Sequence, residues 1–229
     1  MAIDGPAGAG KSTVTRKVAD RLGYVIVDTG ALYRVVALVA ERADVSFDDA
    51  ERASALAEAL VAEQAVLLRR KDNGSTQVLL RGQDVSSAIR TQTIGQGASK
   101  VSAHPGVRRA LLEMQRGQGC EGGVVLEGRD IGTVVFPDAE AKFYLTARAE
   151  VRAQRRFDEL AVSGTPPAFE DVLSEVNERD RRDSTRPVAP LRQAEDAQLV
   201  DSSALTIEQV VEMIVAQVRS VERRLATGG

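Results

Sequence analysis

The sequence has no tryptophan, one cysteine and one histidine, and aromatic residues fill only 3% of its 229 positions. Cys120 has no second cysteine to bridge to and no Cys or His neighbour at metal-ligand spacing, which excludes a disulfide scaffold and a zinc site and leaves a loop thiol. His104, immediately before Pro105 at the start of a predicted helix, belongs to no constellation of catalytic groups and reads as structural. No apolar run is long enough to cross a bilayer, so no membrane is expected. Met1 leads straight into Ala2-Ile3-Asp4 without the basic and apolar stretches of a secretory leader, so the cytoplasm is the expected location. The net charge of -3 speaks against nucleic acid as a partner, because a polyanion-binding domain carries a basic footprint. Lysine is scarce as well: 5 of the 30 basic residues are lysine and 25 are arginine, the side chain suited to bidentate phosphate contact. A GC-rich genome produces the same bias.

What remains is an ordinary globular chain, 43% hydrophobic and 28% charged. Short β-branched runs at residues 2–4, 24–28, 124–127, 141–145 and 198–201 alternate with helical patterns. Such runs lack polar alternation, which suits strands of a parallel sheet covered on both faces, hence an α/β fold. The first run is short, and the expectation is that the start omits a few residues of a central strand. The last helix is the clearest: Ile207, Val210, Val211, Ile214, Val215 and Val218 form an apolar stripe, with Thr206 and Gln209 spaced for a capping box. The stripe reads as core.

Two regions break the strand-helix rhythm. Within residues 46–99, runs at 65–70 and 77–81 flank a turn containing Asn73-Gly74, which predicts a β-hairpin and an antiparallel insert. Within residues 148–192, arginine-rich helical segments flank a turn marked by Gly164 and Pro166-Pro167, which predicts a helical flap. Arg148, Arg152 and Arg155 share one helical face there, and Arg179, Arg182 and Arg186 another. Either face is a solvated one, with Arg179 paired to Asp183, or it receives anions.

The strongest signal for function is Gly5-Pro6-Ala7-Gly8-Ala9-Gly10-Lys11-Ser12-Thr13, a G-x-x-x-x-G-K-S/T motif after an apolar strand and before a helix. This is the phosphate-binding P-loop. Glycines let backbone N–H groups converge on a triphosphate, Lys11 reaches the β and γ phosphates, Ser12 supplies a hydroxyl to Mg²⁺, and the helix offers its positive N-terminus. A GTPase needs an Asn-Lys-x-Asp clamp, and the nearest string, Asn177-Glu178-Arg179-Asp180, lacks the lysine.

Asp28-Thr29-Gly30-Ala31-Leu32-Tyr33-Arg34 and Glu127-Gly128-Arg129-Asp130 each follow a predicted strand, placing their side chains at the carboxyl edge of the sheet, where ligands bind. Arg34 is a candidate phosphate clamp, and Asp28 a candidate to serve magnesium through water. Thr29 is either a helix cap or a substrate contact. Arg129 beside Asp130 is either a structural ion pair or a substrate clamp. A phosphate acceptor is already ionised at neutral pH, so transfer to it needs alignment and charge neutralisation more than a general base.

The P-loop segment from Ile3 to Ser12, the segment from Asp28 to Arg34, the run Glu127-Gly128-Arg129-Asp130-Ile131-Gly132-Thr133-Val134-Val135-Phe136-Pro137-Asp138, and Arg179-Asp180-Arg181-Arg182-Asp183-Ser184-Thr185-Arg186 together resemble the bacterial cytidylate kinases, in the same order along nearly the whole chain. The resemblance implies a P-loop kinase core with a five-stranded parallel sheet flanked by helices, made of residues 1–45, 100–147 and 193–229. It further implies a monophosphate-binding insert with antiparallel β structure at 46–99 and a helical lid at 148–192. The implied reaction moves the γ-phosphoryl group of ATP to CMP or dCMP with Mg²⁺. Apart from the resemblance, a monomer is the expected state. Carried over by motif, Lys11, Arg129 and Arg186 are the catalytic cations. The P-loop with Arg155 holds ATP, and Arg34, Arg129 and Arg186 hold the monophosphate. Arg179 and Asp183 contact the sugar, while Ser99, Arg108 and Asp130 read the cytosine edge, with Tyr33 lining the base pocket. Thr29 stands where the family more often has Ser and keeps the hydroxyl. A kinase of UMP, AMP or another small molecule remains the first alternative, and a non-catalytic ATP-gated module the second.

Overall fold

The computed structural model describes residues 1–70, 76–119, 122–164 and 167–227. The expected Asn73-Gly74 turn, Cys120, and Thr165-Pro166 of the lid turn lie outside the described residues. In chain order the elements are β1 (Ala2–Asp4), α1 (Lys11–Leu22), β2 (Val25–Asp28), α2 (Gly30–Arg42), α3 (Ala50–Ala62), β3 (Val66–Arg70), β4 (Thr76–Leu80), β5 (Gln83–Asp84), α4 (Gln92–Val101), α5 (Pro105–Gly117), β6 (Val124–Gly128), β7 (Lys142–Thr146), α6 (Ala149–Ser163), α7 (Phe169–Thr185), β8 (Gln198–Asp201) and α8 (Ile207–Ala226). A single π-helical turn occupies Ile131–Val135. Contacts divide the chain into two compact units, Met1–Tyr24 with Gly128–Gly229, and Val25–Glu127.

In the first unit β1, β7 and β8 pair in parallel, with Asp4 opposite Tyr144 and Leu145 opposite Val200. Ile3, Phe143, Leu145 and Val200 are buried as a continuous apolar layer, as strands covered on both faces require. Helix α1 packs on α8. Val14 and Val18 of α1, and Val210, Val211, Ile214, Val215 and Val218 of α8, are buried. The predicted capping box forms, with Thr206 and Gln209 satisfying each other's backbone amides. Ile207 leaves the stripe: as the first residue of α8 it lies before the packed turns and stays 42% exposed.

Helices α6 and α7 form the predicted arginine-rich pair and enclose a small core of Ala153, Val172 and Val176, joined by Phe157 and Phe169.

In the second unit β2 and β6 pair in parallel from Val25 opposite Val124 to Asp28 opposite Glu127. Helices α2 to α5 surround a core that includes Leu32, Val35, Val36, Leu60, Ile94 and Leu111. The expected hairpin forms in register from Val66 opposite Leu80 to Arg70 opposite Thr76. A third strand, β5, was not evident in the sequence. Arg81 and Gly82 both adopt positive φ, 47° and 81°, so the chain turns there and Leu79 pairs with Asp84. Five parallel strands with flanking helices and a separate three-stranded antiparallel sheet make the fold α/β, as expected.

Candidate active site

The glycine-rich loop follows the design its sequence implies. Gly8 and Gly10 have φ of 75° and 89°, and Gly10 is the residue before α1, so successive amides turn toward the helix N-terminus. Gly5 is required for space as well: a Cβ there would lie 1.9 Å from the Leu145 carbonyl oxygen. The Lys11 ammonium is buried and donates to the carbonyls of Gly5 at 2.8 Å and Pro6 at 2.7 Å, which folds it back along the loop. Ser12 and Thr13, in the first turn of α1, are exposed.

Two ion pairs, one half-buried and one buried, join the corner after β6 to α7. Arg129 Nε donates to Asp183 Oδ2 at 2.9 Å, and Arg186 Nη2 lies 3.3 Å from Asp130 Oδ1, with Arg186 Nε also donating to the Ala189 carbonyl at 2.7 Å. Burial would raise the Asp183 carboxyl, but the guanidiniums of Arg129, Arg179 and Arg186 outweigh it and hold it below the ordinary carboxylate range. Asp183 is therefore not half of a solvated Arg179–Asp183 pair on a helix face; it is 3% exposed and anchors the corner. Arg129, Asp130, Arg179, Asp183 and Arg186 come together at this corner, whereas the sequence reading divided them among phosphate, sugar and base contacts.

Of the three arginines placed on one face of α6, Arg148 is exposed and Arg155 half-buried, whereas Arg152 is 4% exposed. Arg155 reaches the loop side, with Nη1 3.5 Å from the Gly8 carbonyl and Nη2 donating to the Ser202 carbonyl at 2.9 Å. Arg152 pairs in a fork with Asp180 at 3.0 and 2.5 Å and also donates to the carbonyls of Ala147 and of Ala7 in the loop. The anion that neutralises it is thus part of the protein. Sequence reading placed Arg152 on that face without giving it a role and passed over Asp180; only the fold shows that they pair.

Asp4, the last residue of β1, was also passed over. Its carboxylate accepts the amide hydrogens of Ile131 at 2.8 Å and Gly132 at 2.7 Å and is almost fully buried. A polar residue ending an apolar strand one position before the P-loop was the available signal.

In the second unit, Thr29 does not cap α2 with its side chain. Its hydroxyl donates to the Glu127 carbonyl at 2.8 Å, and Asp28 Oδ1 accepts from the Ala31 amide instead. Arg34 donates to the Ile89 carbonyl at 3.0 Å. The Arg108 guanidinium lies over the Tyr33 ring, 5.5 Å from its centroid, and donates to the Ser102 carbonyl, while Ser102 donates to the Ser99 carbonyl. Tyr33, Ser99 and Arg108 therefore form one buried cluster. His104 binds the Phe47 carbonyl through Nε2 at 2.8 Å, in keeping with a structural role.

Among the described residues no group of three His, Cys, Asp or Glu side chains could hold a metal ion. The exposed Ser12 hydroxyl beside the buried Lys11 fits a Mg²⁺ ion that is held mainly by nucleotide phosphates, the usual arrangement for this cation.

The sequence profile described as cytidylate kinase matches residues 1–220. The chain is 52% identical to a cytidylate kinase of Geobacter sp. (strain M21) over 228 residues, covering 100% of this chain and 94% of that one. It is 51% identical to that of Citrifermentans bemidjiense, with coverage of 100% and 94%, and 48% identical to that of Geobacter sulfurreducens, with coverage of 100% and 95%. The chain belongs to the cytidylate kinase family.

Proposed function

We propose that this chain transfers the γ-phosphoryl group of ATP to CMP or dCMP, yielding ADP and the pyrimidine diphosphate. The observation that carries the reading is the paired corner Arg129–Asp183 and Asp130–Arg186, which lies in the same unit as the P-loop and is tied to it through Asp4. Two guanidiniums are thereby held in fixed orientation by carboxylates before any substrate arrives. Arg129 Nη2 has no protein partner among the described residues.

In this reading the loop amides, Lys11 and Arg155 bind the triphosphate. Arg34, Arg129 and Arg186 bind the acceptor phosphate, and Arg179 and Asp183 the sugar. Tyr33, Ser99, Arg108 and Asp130 hold the base, with the Thr29 hydroxyl close to the substrate. Cytosine presents an amino donor beside ring acceptors, and a carboxylate with an arginine complements that pattern. Ser12 would hold Mg²⁺ together with the phosphates, and the bound ion supplies neutralisation of phosphoryl charge. The chain's own part is to align an already ionised acceptor and offset charge with Lys11, Arg129 and Arg186, so no general base is needed. The protein works as a monomer in the cytoplasm.

A coupled phosphoryl-transfer assay across nucleoside monophosphates tests the reading. Turnover with CMP and dCMP should exceed that with UMP and AMP by at least about tenfold, the scale of one or two good hydrogen bonds to the base. Equal rates with UMP or AMP would remove the cytosine assignment. ATP hydrolysis indifferent to added CMP would favour an ATP-gated module instead.

A further inference from the structure

Asp4 is buried, charged and outside the roles assigned above. Its two oxygens accept from the amides of Ile131 and Gly132, which open the π-helical turn Ile131–Val135. These are the first amides of that turn, and the bonds within it begin at Val134 and Val135, both directed to the Asp130 carbonyl. Without the carboxylate, two buried N–H groups would have no acceptor, a cost the fold meets by placing the anion there. The residues just before the turn are Arg129 and Asp130. Just after Asp4 comes Gly5, whose carbonyl holds the Lys11 ammonium at 2.8 Å. One residue therefore binds the P-loop through its backbone and the arginine corner through its side chain.

The neighbours leave this carboxylate little freedom. Tyr144 is its partner in the sheet register. A Cβ at position 132 would lie 3.1 Å from Lys142 Cδ and 3.4 Å from Asp4 Oδ2, a tight fit in which these side chains would have to give by a few tenths of an ångström. The Lys142 ammonium itself is engaged by Asp196 at 2.7 Å. Lys11 and Asp130 are the charged groups that act on Asp4 from the loop side and the corner side.

We infer that Asp4 is a positioning residue for phosphoryl transfer: by capping the Ile131–Gly132 turn from the strand that feeds the P-loop, it fixes where Arg129 and Asp130 stand relative to Lys11. Misplacement of a catalytic cation by about 1 Å can cost roughly a hundredfold in rate, so a cap of this kind acts on turnover without touching substrate. The inference rests on the reading of Arg129 as a phosphate clamp.

The test is Asp4→Asn, which keeps the shape but turns an amino group toward one of the two amides. At saturating ATP and CMP, kcat should fall by about tenfold to a hundredfold while the Kd for ADP, measured without CMP by calorimetry, stays within about threefold. A kcat within about twofold of the parent overturns the inference, and so does a loss of ADP affinity that matches the loss of kcat, because that would mark a general disturbance of the loop. Should the variant not fold, the amide resonances of Ile131 and Gly132 in the unaltered protein serve instead. Both should shift when CMP is added to the ADP complex, and silence of both overturns the inference. Arg129→Ala is run alongside: retained turnover there defeats the clamp reading itself, whereas its loss together with an active Asp4→Asn defeats only the role of Asp4.

Discussion

The guanidinium of Arg129, at the end of β6, is held by the carboxylate of Asp183 on α7, with Nε 2.9 Å from Oδ2 and the Asp183 side chain only 4% exposed. The contact joins residues 54 apart in sequence and sets the direction in which the arginine can meet an anion. Removing either partner should therefore give a different result. Arg129→Ala should lower kcat by about a hundredfold to a thousandfold, the cost of losing one fixed cationic contact to a transferring group. Asp183→Asn should instead destabilise the fold by about 3 kcal/mol in a urea titration, because buried guanidiniums lose their counter-charge. Steady-state kinetics and denaturation of both variants check this, and an active, unaltered Arg129→Ala would contradict it.

Acidity gives a second handle. Burial, opposed by the amide bonds from Gly132 and Ile131, pushes the Asp4 carboxyl up from 3.8 to about 6. A raised folded-state value means that the stability contributed by the protonated group is complete below 3.8 and is lost as pH rises through about 6. Asp183 shifts the other way, so its contribution is present above the ordinary carboxylate range and is lost only at lower pH. Relative to Asp4→Asn, the parent protein should gain about 1 kcal/mol between roughly pH 7.5 and 5.5. Urea titrations of both proteins at the two pH values measure the difference, and a constant difference would show that Asp4 does not titrate in this window.

Two glycines with positive φ should respond unequally to alanine. At Gly23 nothing lies within 4 Å of an added Cβ, so only backbone strain of about 1 kcal/mol is expected. At Gly5 the new carbon meets the Leu145 carbonyl at 1.9 Å, and backbone must move. Gly5→Ala should lose most nucleotide binding, and Gly23→Ala should keep it, as read by ADP calorimetry.

Arg152 links α6 to α7 and to the loop carbonyl of Ala7. Arg152→Met keeps most of the side-chain volume and removes all those bonds, so it should cost about 3 kcal/mol in stability and raise the KM for ATP more than that for CMP. Equal changes in both KM values would argue that the arginine serves folding alone.

Much of this was legible in the sequence because it depends on local rules. The P-loop needs glycine spacing, α8 needs an apolar stripe and a capping box, and the β3–β4 hairpin needs two short strand-like runs about a turn apart; each is readable within about 20 residues. What escaped depends on contacts between distant segments. Asp4 meets an amide 128 residues away, and Arg152 meets Asp180, 28 residues on across the α6–α7 pair. Thr29 looked like a helix cap because its position allows one, but the parallel pairing of β2 with β6 brings the Glu127 carbonyl within its reach. The two-residue strand β5 has no hydrophobic pattern to announce it, and only the left-handed pair Arg81-Gly82 creates it.

The apolar knot between α6 and α7 has a mechanical meaning. Phe157 and Phe169 meet edge to face, with ring centroids 6.1 Å apart, over Ala153, Val172 and Val176. Because these side chains interdigitate, α6 and α7 share one core, and a substitution that loosens either helix there removes packing from the other as well.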